Sequence, residues 1–100
     1  MSDGDWGFAT PPFNVQEALQ RLKRDLREMG LVERGQAWER RGLLLVQLST
    51  NGTQIDAQRV KRPARSSPEW LHKTLKSSAD VRDFSADLKR QLALWNDDHD

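Results

Sequence analysis

The chain has no cysteine and no tyrosine. The missing thiols exclude disulfides, thiolate metal sites and cysteine nucleophiles together. Histidine is scarce, with His72 and His99 the two in the chain. Long apolar runs are absent too: no stretch approaches the ~18 residues of a membrane-spanning helix. The N-terminal run MSDGDWGFATPPF is acidic and lacks the apolar core of a signal peptide. These absences predict a cytoplasmic protein that does not enter a membrane.

Catalytic patterns are missing as well. G-x-S-x-G, Walker A, G-x-G-x-x-G and H-E-x-x-H do not occur. His99 stands among Asp97, Asp98 and Asp100, but a terminal cluster must be ordered ligand by ligand and has no second shell to hold it. His72 has no spacing to Ser67, Ser77 or Ser78 that defines a hydrolase pair. No catalytic residue, metal site or cofactor is expected, and the chain does not read as an enzyme.

What is present describes one small polar domain. A chain of 100 residues buries somewhat over ~60% of its unfolded surface, enough for a single two-layer core. Its composition is 36% hydrophobic and 31% charged, with a mean hydropathy of -0.82. Four Trp and three Phe must therefore supply much of the apolar area. Arginine outnumbers lysine eleven to five and Ile55 is the single isoleucine, a bias that points to a GC-rich bacterial genome. The net charge of +1 conceals acidic ends around two basic segments, at residues 21–42 and 59–76.

The organising stretch is Gly42 to Val60. Asn51-Gly52 lies between two apolar runs and predicts a hairpin with a type I′ turn, because both residues accept positive φ. Before it comes a helix. Asn14 is a good N-cap with Glu17 three positions on and Phe13 ahead of it. Val15, Ala18, Leu19, Leu22, Leu26 and Met29 then recur at helical spacing up to Gly30. A first strand is expected over Gln36 to Arg40, a second over Leu43 to Leu48, and a third from Gln54 to about Lys61. Glu69 to Lys76 is read as a fourth strand, with a short helix opened by Ser67-Pro68-Glu69 as the alternative. Ser77-Ser78 opens a last helix from Ala79 to about Trp95, with Val81, Phe84, Leu88, Leu92 and Trp95 as its stripe.

The expected fold is α+β, an antiparallel sheet of three or four strands flanked by an N-terminal and a C-terminal helix, both mainly on one face. An extended arm over residues 1–13, carrying Trp6 and Phe8, precedes the domain at 14–95. A disordered acidic tail at 96–100 follows it. Expected core residues include Leu19, Leu22, Leu26, Leu44, Val46, Leu48, Ile55, Phe84, Leu88 and Leu92, with Trp70 and Trp95 at the margins.

Strict alternation puts Leu44, Val46 and Leu48 on one face of the second strand and Leu43 and Leu45 on the other. Two helices on one face would leave Leu43 and Leu45 for a partner, so the chain is expected to be a protein-interaction module, self-associating through the second sheet face. Trp38, Arg40, Leu43, Leu45, Arg62 and Arg65 are the candidate surface. The alternative is nucleic-acid binding through the basic 59–65 loop and the helix-one arginines Arg21, Arg24 and Arg27. The order helix, three strands, helix, with the basic segment Arg59 to Arg65 ahead of the final helix, resembles in outline the double-stranded-RNA-binding domain. In place of that family's lysine-rich second-helix start stands SSADVRD, which sets acids where phosphates would dock.

Overall fold

The structure is a computed structural model that describes residues 13–98, with side chains described through Trp95. The expected arm over residues 1–12 and the end of the expected tail lie outside the described residues. Two helices flank a five-stranded antiparallel sheet, in the order α1 (Val15–Glu28), β1 (Val32–Arg34), β2 (Ala37–Arg40), β3 (Leu43–Thr50), β4 (Ile55–Val60), β5 (Trp70–Leu75) and α2 (Ser78–Asp98). The strands lie in the sheet in chain order. This is the expected α+β architecture with one strand more. The extra strand is β1, whose three residues are too few to show an alternation.

Local chemistry sets the helix ends. Asn14 Oδ1 accepts from the Glu17 amide at 3.0 Å, which satisfies one of the orphan donors of α1. At the other end Gly30 takes φ 92°. The Gly30 amide donates to the Arg27 carbonyl and the Leu31 amide to the Leu26 carbonyl, the two bonds of a Schellman motif. Ser77 Oγ accepts from the Asp80 amide while an Asp80 carboxylate oxygen accepts from the Lys76 amide, so α2 starts on a reciprocal cap.

The turn chemistry is distributed differently from expectation. Arg40 pairs with Leu43, so Arg41-Gly42 is a two-residue loop, and its φ values of 56° and 80° are the type I′ pattern. At Asn51 to Gln54 only Gly52 has positive φ. There the loop spans four residues between paired Thr50 and Ile55. Asn51 Oδ1 organises it by accepting from the Thr53 and Gln54 amides, an Asx arrangement that removes the need for a strained Asn backbone.

A bulge in β3 decides what the sheet buries. Trp38 pairs with Val46 but Glu39 pairs with Leu44, so Leu45 is inserted opposite no partner. The insertion resets the alternation. Leu45, Val46 and Leu48 all belong to the buried core, and Leu43 packs against it. The expectation that Leu43 and Leu45 lie on the face opposite Val46 and Leu48 is therefore corrected, and Leu44, expected in the core, is half-buried on the other face with its partner Glu39. Paired residues share a face, so the open side of the sheet carries the rows Ala37, Gln47, Gln58, His72 and Ser49, Asp56, Thr74. That side is polar.

The helices cover the other face and run side by side in the same direction. The first turns of α1 share a cleft with Ser77 to Arg82, and Asp25 to Met29 share one with Ser85 to Ala93. Leu22 and Leu26 of α1 and Leu88 of α2 are fully buried with Trp38, Ile55 and Val60. Each contributes roughly 1.5–3 kcal/mol by leaving water. Polar pins join the layers. Ser85 Oγ donates to Asp25 Oδ2 at 3.0 Å between the helices, and Glu33 on β1 meets Lys23 and Arg27 of α1 at 3.1 and 3.2 Å. The Lys23 hydrogen bond, with Arg27 beside it, holds the Glu33 carboxyl below its ordinary range. No helix among the described residues is long and apolar enough to cross a membrane.

Candidate interaction groove

The end of α2, the Arg41-Gly42 turn and the long β4–β5 loop meet around a groove of about 780 Å³. Its floor is apolar: Leu43 and Leu45 from β3, Leu92 and Trp95 from α2, and Pro63 from the loop, with Leu94 at the edge. Its rim is cationic, with Arg40, Arg41, Lys61, Arg62 and Arg65, and among the described residues no Asp or Glu lines it. Sequence position explains the grouping. Pro63 and Pro68 deny the segment after β4 a ladder, so Lys61 to Arg65 leave the sheet as a loop and turn along α2. Among the described residues none of the five cations forms an ion pair.

Five of the six candidate residues, Arg40, Leu43, Leu45, Arg62 and Arg65, line this one groove. Trp38 does not. It is fully buried, with the Arg27 guanidinium 5.7 Å from its ring centre, so it is a core residue and is not available as an exposed contact. The helix-one arginines stand apart from the basic loop. Arg21 borders the cleft between the helix starts, and Arg27 is engaged with Glu33. The structure thus separates the helix-one arginines from the basic loop, while Arg40 and Arg41 of the first basic segment join that loop at the groove.

Sequence reading missed Leu94, which is half exposed at the groove edge. The available signal was its position beside the stripe of Leu88, Leu92 and Trp95, since an apolar residue off the stripe points away from the core. Arg41, also on the rim, sits in the turn with φ 56°. A left-handed arginine costs roughly 1 kcal/mol relative to glycine or asparagine at such a position. Arg41→Asn is accordingly expected to raise the unfolding free energy by about 0.5–1 kcal/mol in urea titration. A fall in stability would show that groove contacts, and not strain, dominate at that residue.

The chemistry of the groove is recognition by charge and apolar contact. No metal-ligand cluster is present among the described residues, and His72 lies on the open sheet face, in register with Gln58. Comparison with protein-family models, with curated proteins and with solved structures finds no match.

Proposed function

We propose that this chain is a binding module of the cytoplasm whose contact surface is the groove between α2 and the β4–β5 loop, and whose ligand is an acidic peptide segment carrying apolar anchors. One observation carries the reading: five cations surround a floor of leucine, tryptophan and proline, with no acid among the described residues that line it. Anchors that leave water on the floor supply the affinity, and the rim supplies orientation and rate. This replaces docking on the second sheet face, whose motivation disappears once Leu43 and Leu45 turn to the helix side.

Nucleic acid is the second reading, supported by the same cations. The leucine-rich floor favours peptide, because backbone phosphates need cations on an open polar surface and bases stack on aromatic faces more than on aliphatic ones. The test is fluorescence anisotropy with a labelled ten-residue Asp/Glu peptide containing one Trp and one Leu, beside single-stranded and duplex 20-mers, at ~50 mM salt. Peptide binding is expected, reduced at least tenfold in Arg62→Glu/Arg65→Glu. Oligonucleotide binding without peptide binding would transfer the groove to the second reading. Absence of both at ~1 mM protein would remove the groove as a binding site.

A further inference from the structure

The chain itself contains a segment of the chemistry the groove selects. Residues 3 to 8 read Asp-Gly-Asp-Trp-Gly-Phe, two acids followed by two large aromatics. From these residues and the groove we infer that the N-terminal segment is the groove's own occupant, docked in cis with Trp6 on the apolar floor, Phe8 in the adjoining cleft beside α1, and Asp3 and Asp5 at the cationic rim. The inference rests on the groove reading given above and adds its regulation: an external peptide must displace the segment.

Reach permits it. Six residues separate Trp6 from Phe13, and the seven steps span about 24 Å when extended, against about 17 Å for Phe8. The fourteen residues of α1 are about 21 Å long, and the cleft beside the end of α1 shares Arg40 and Leu92 with the groove. Running back alongside α1, the segment brings Trp6 to the groove. A rival lies nearer, since Asn96 to Asp100 directly follow Trp95. That run holds three Asp but no apolar residue, so it matches the rim and leaves the floor uncovered.

A weak contact is sufficient. At an effective concentration on the order of 1 mM for a short tether, an intrinsic Kd of about 0.1 mM keeps the groove filled about ten parts to one. External ligand then binds the full chain about tenfold more weakly than it binds a chain whose segment cannot dock.

The experiment uses full-length protein and a fluorescein-labelled peptide of residues 1–12. Trp6→Ala/Phe8→Ala is expected to bind this peptide about tenfold more tightly than the unmodified chain, and adding Arg62→Glu/Arg65→Glu is expected to abolish the binding. Equal affinity of the two chains overturns the inference, as does failure of both to bind. An Asp/Glu peptide with Trp and Leu anchors separates the causes. If it binds both chains equally, the groove stands and the cis occupant falls; if no peptide binds, both fall. Opening of the groove by Asp97→Asn/Asp98→Asn but not by the aromatic variant assigns the site to the acidic end instead. A dimer in sedimentation velocity that the aromatic variant abolishes moves the segment to a second copy and likewise overturns the cis assignment.

Discussion

Trp38→Ala is expected to lower the unfolding free energy by about 3–5 kcal/mol, the range for emptying a large aromatic site in a packed core. Trp38 is fully buried in the same cluster as Leu22, Leu26 and Val46. It holds the middle of the short strand β2 between Glu33 and Val46, so its loss opens a cavity where the sheet meets α1. For a domain whose total stability is of order 5–15 kcal/mol, that loss approaches unfolding at 37 °C. The indole adds a second, smaller effect. Trp38 Nε1 is buried with no hydrogen-bond partner among the described residues, and such a donor costs about 1–3 kcal/mol of desolvation. Trp38→Phe removes the donor along with part of the ring, so it is expected to cost distinctly less than the alanine variant. Urea unfolding of both variants measures the difference. A phenylalanine variant as unstable as the alanine one would show that the N–H is satisfied in solution.

Asp87→Ala has the next largest expected effect. Arg59 on β4 donates from Nε to Asp87 Oδ2 on α2 at 2.7 Å, and its side chain is only 12% exposed. The other Asp87 oxygen accepts from Arg90. Arg59 lies in the row of Val46, under the helices and not in water. Removing Asp87 leaves a mostly buried guanidinium with the Val60 carbonyl as its remaining acceptor. A loss of about 2–3 kcal/mol is expected, below the ~3–5 kcal/mol of a fully buried pair because Asp87 is 30% exposed. Arg59→Met/Asp87→Leu is expected to recover most of it, since an apolar pair of similar volume needs no counter-charge. A loss under ~0.5 kcal/mol for Asp87→Ala, the value of a surface pair, would show that water reaches Arg59.

The signals that the sequence displayed clearly were local ones. Asn14, Glu17 and Gly30 mark the ends of α1 because capping is settled within a few residues. Trp70 to Leu75 were less clear, since their alternation fits a strand while Ser67-Pro68-Glu69 fits a helix start, and the structure makes them a strand. The phase of β3 was not legible. In Leu43-Leu44-Leu45-Val46 no polar residue marks which side faces out, so a bulge that turns Leu45 inward leaves no trace in the pattern. The two glycine turns misled for a related reason. Asn51-Gly52 is the stronger hairpin signal, yet the Asn51 side chain spends its oxygen on Thr53 and Gln54, while Arg41-Gly42 adopts the mirror-image turn.

The candidate site was legible in pieces. A basic loop at 59–65 and an apolar pair at Leu43 and Leu45 were both visible, but as two separate features. Their convergence depends on how a nine-residue connection between Val60 and Trp70 lies against the last turns of α2. That placement is tertiary and carries no periodic signature.

The chain-order pairing of the strands has a consequence for how the molecule forms. Each strand meets its sequence neighbour, so three hairpins can assemble with loops of two to four residues, and the nine-residue β4–β5 connection adds little more closure entropy. What remains is the joining of the two ends, where α1 meets α2 through Ser85 and Asp25, sixty positions apart. Folding speed is governed by such distant contacts. The sheet is therefore the early scaffold, and the seating of α2 on α1, which also completes the groove floor with Leu92 and Trp95, is the late step.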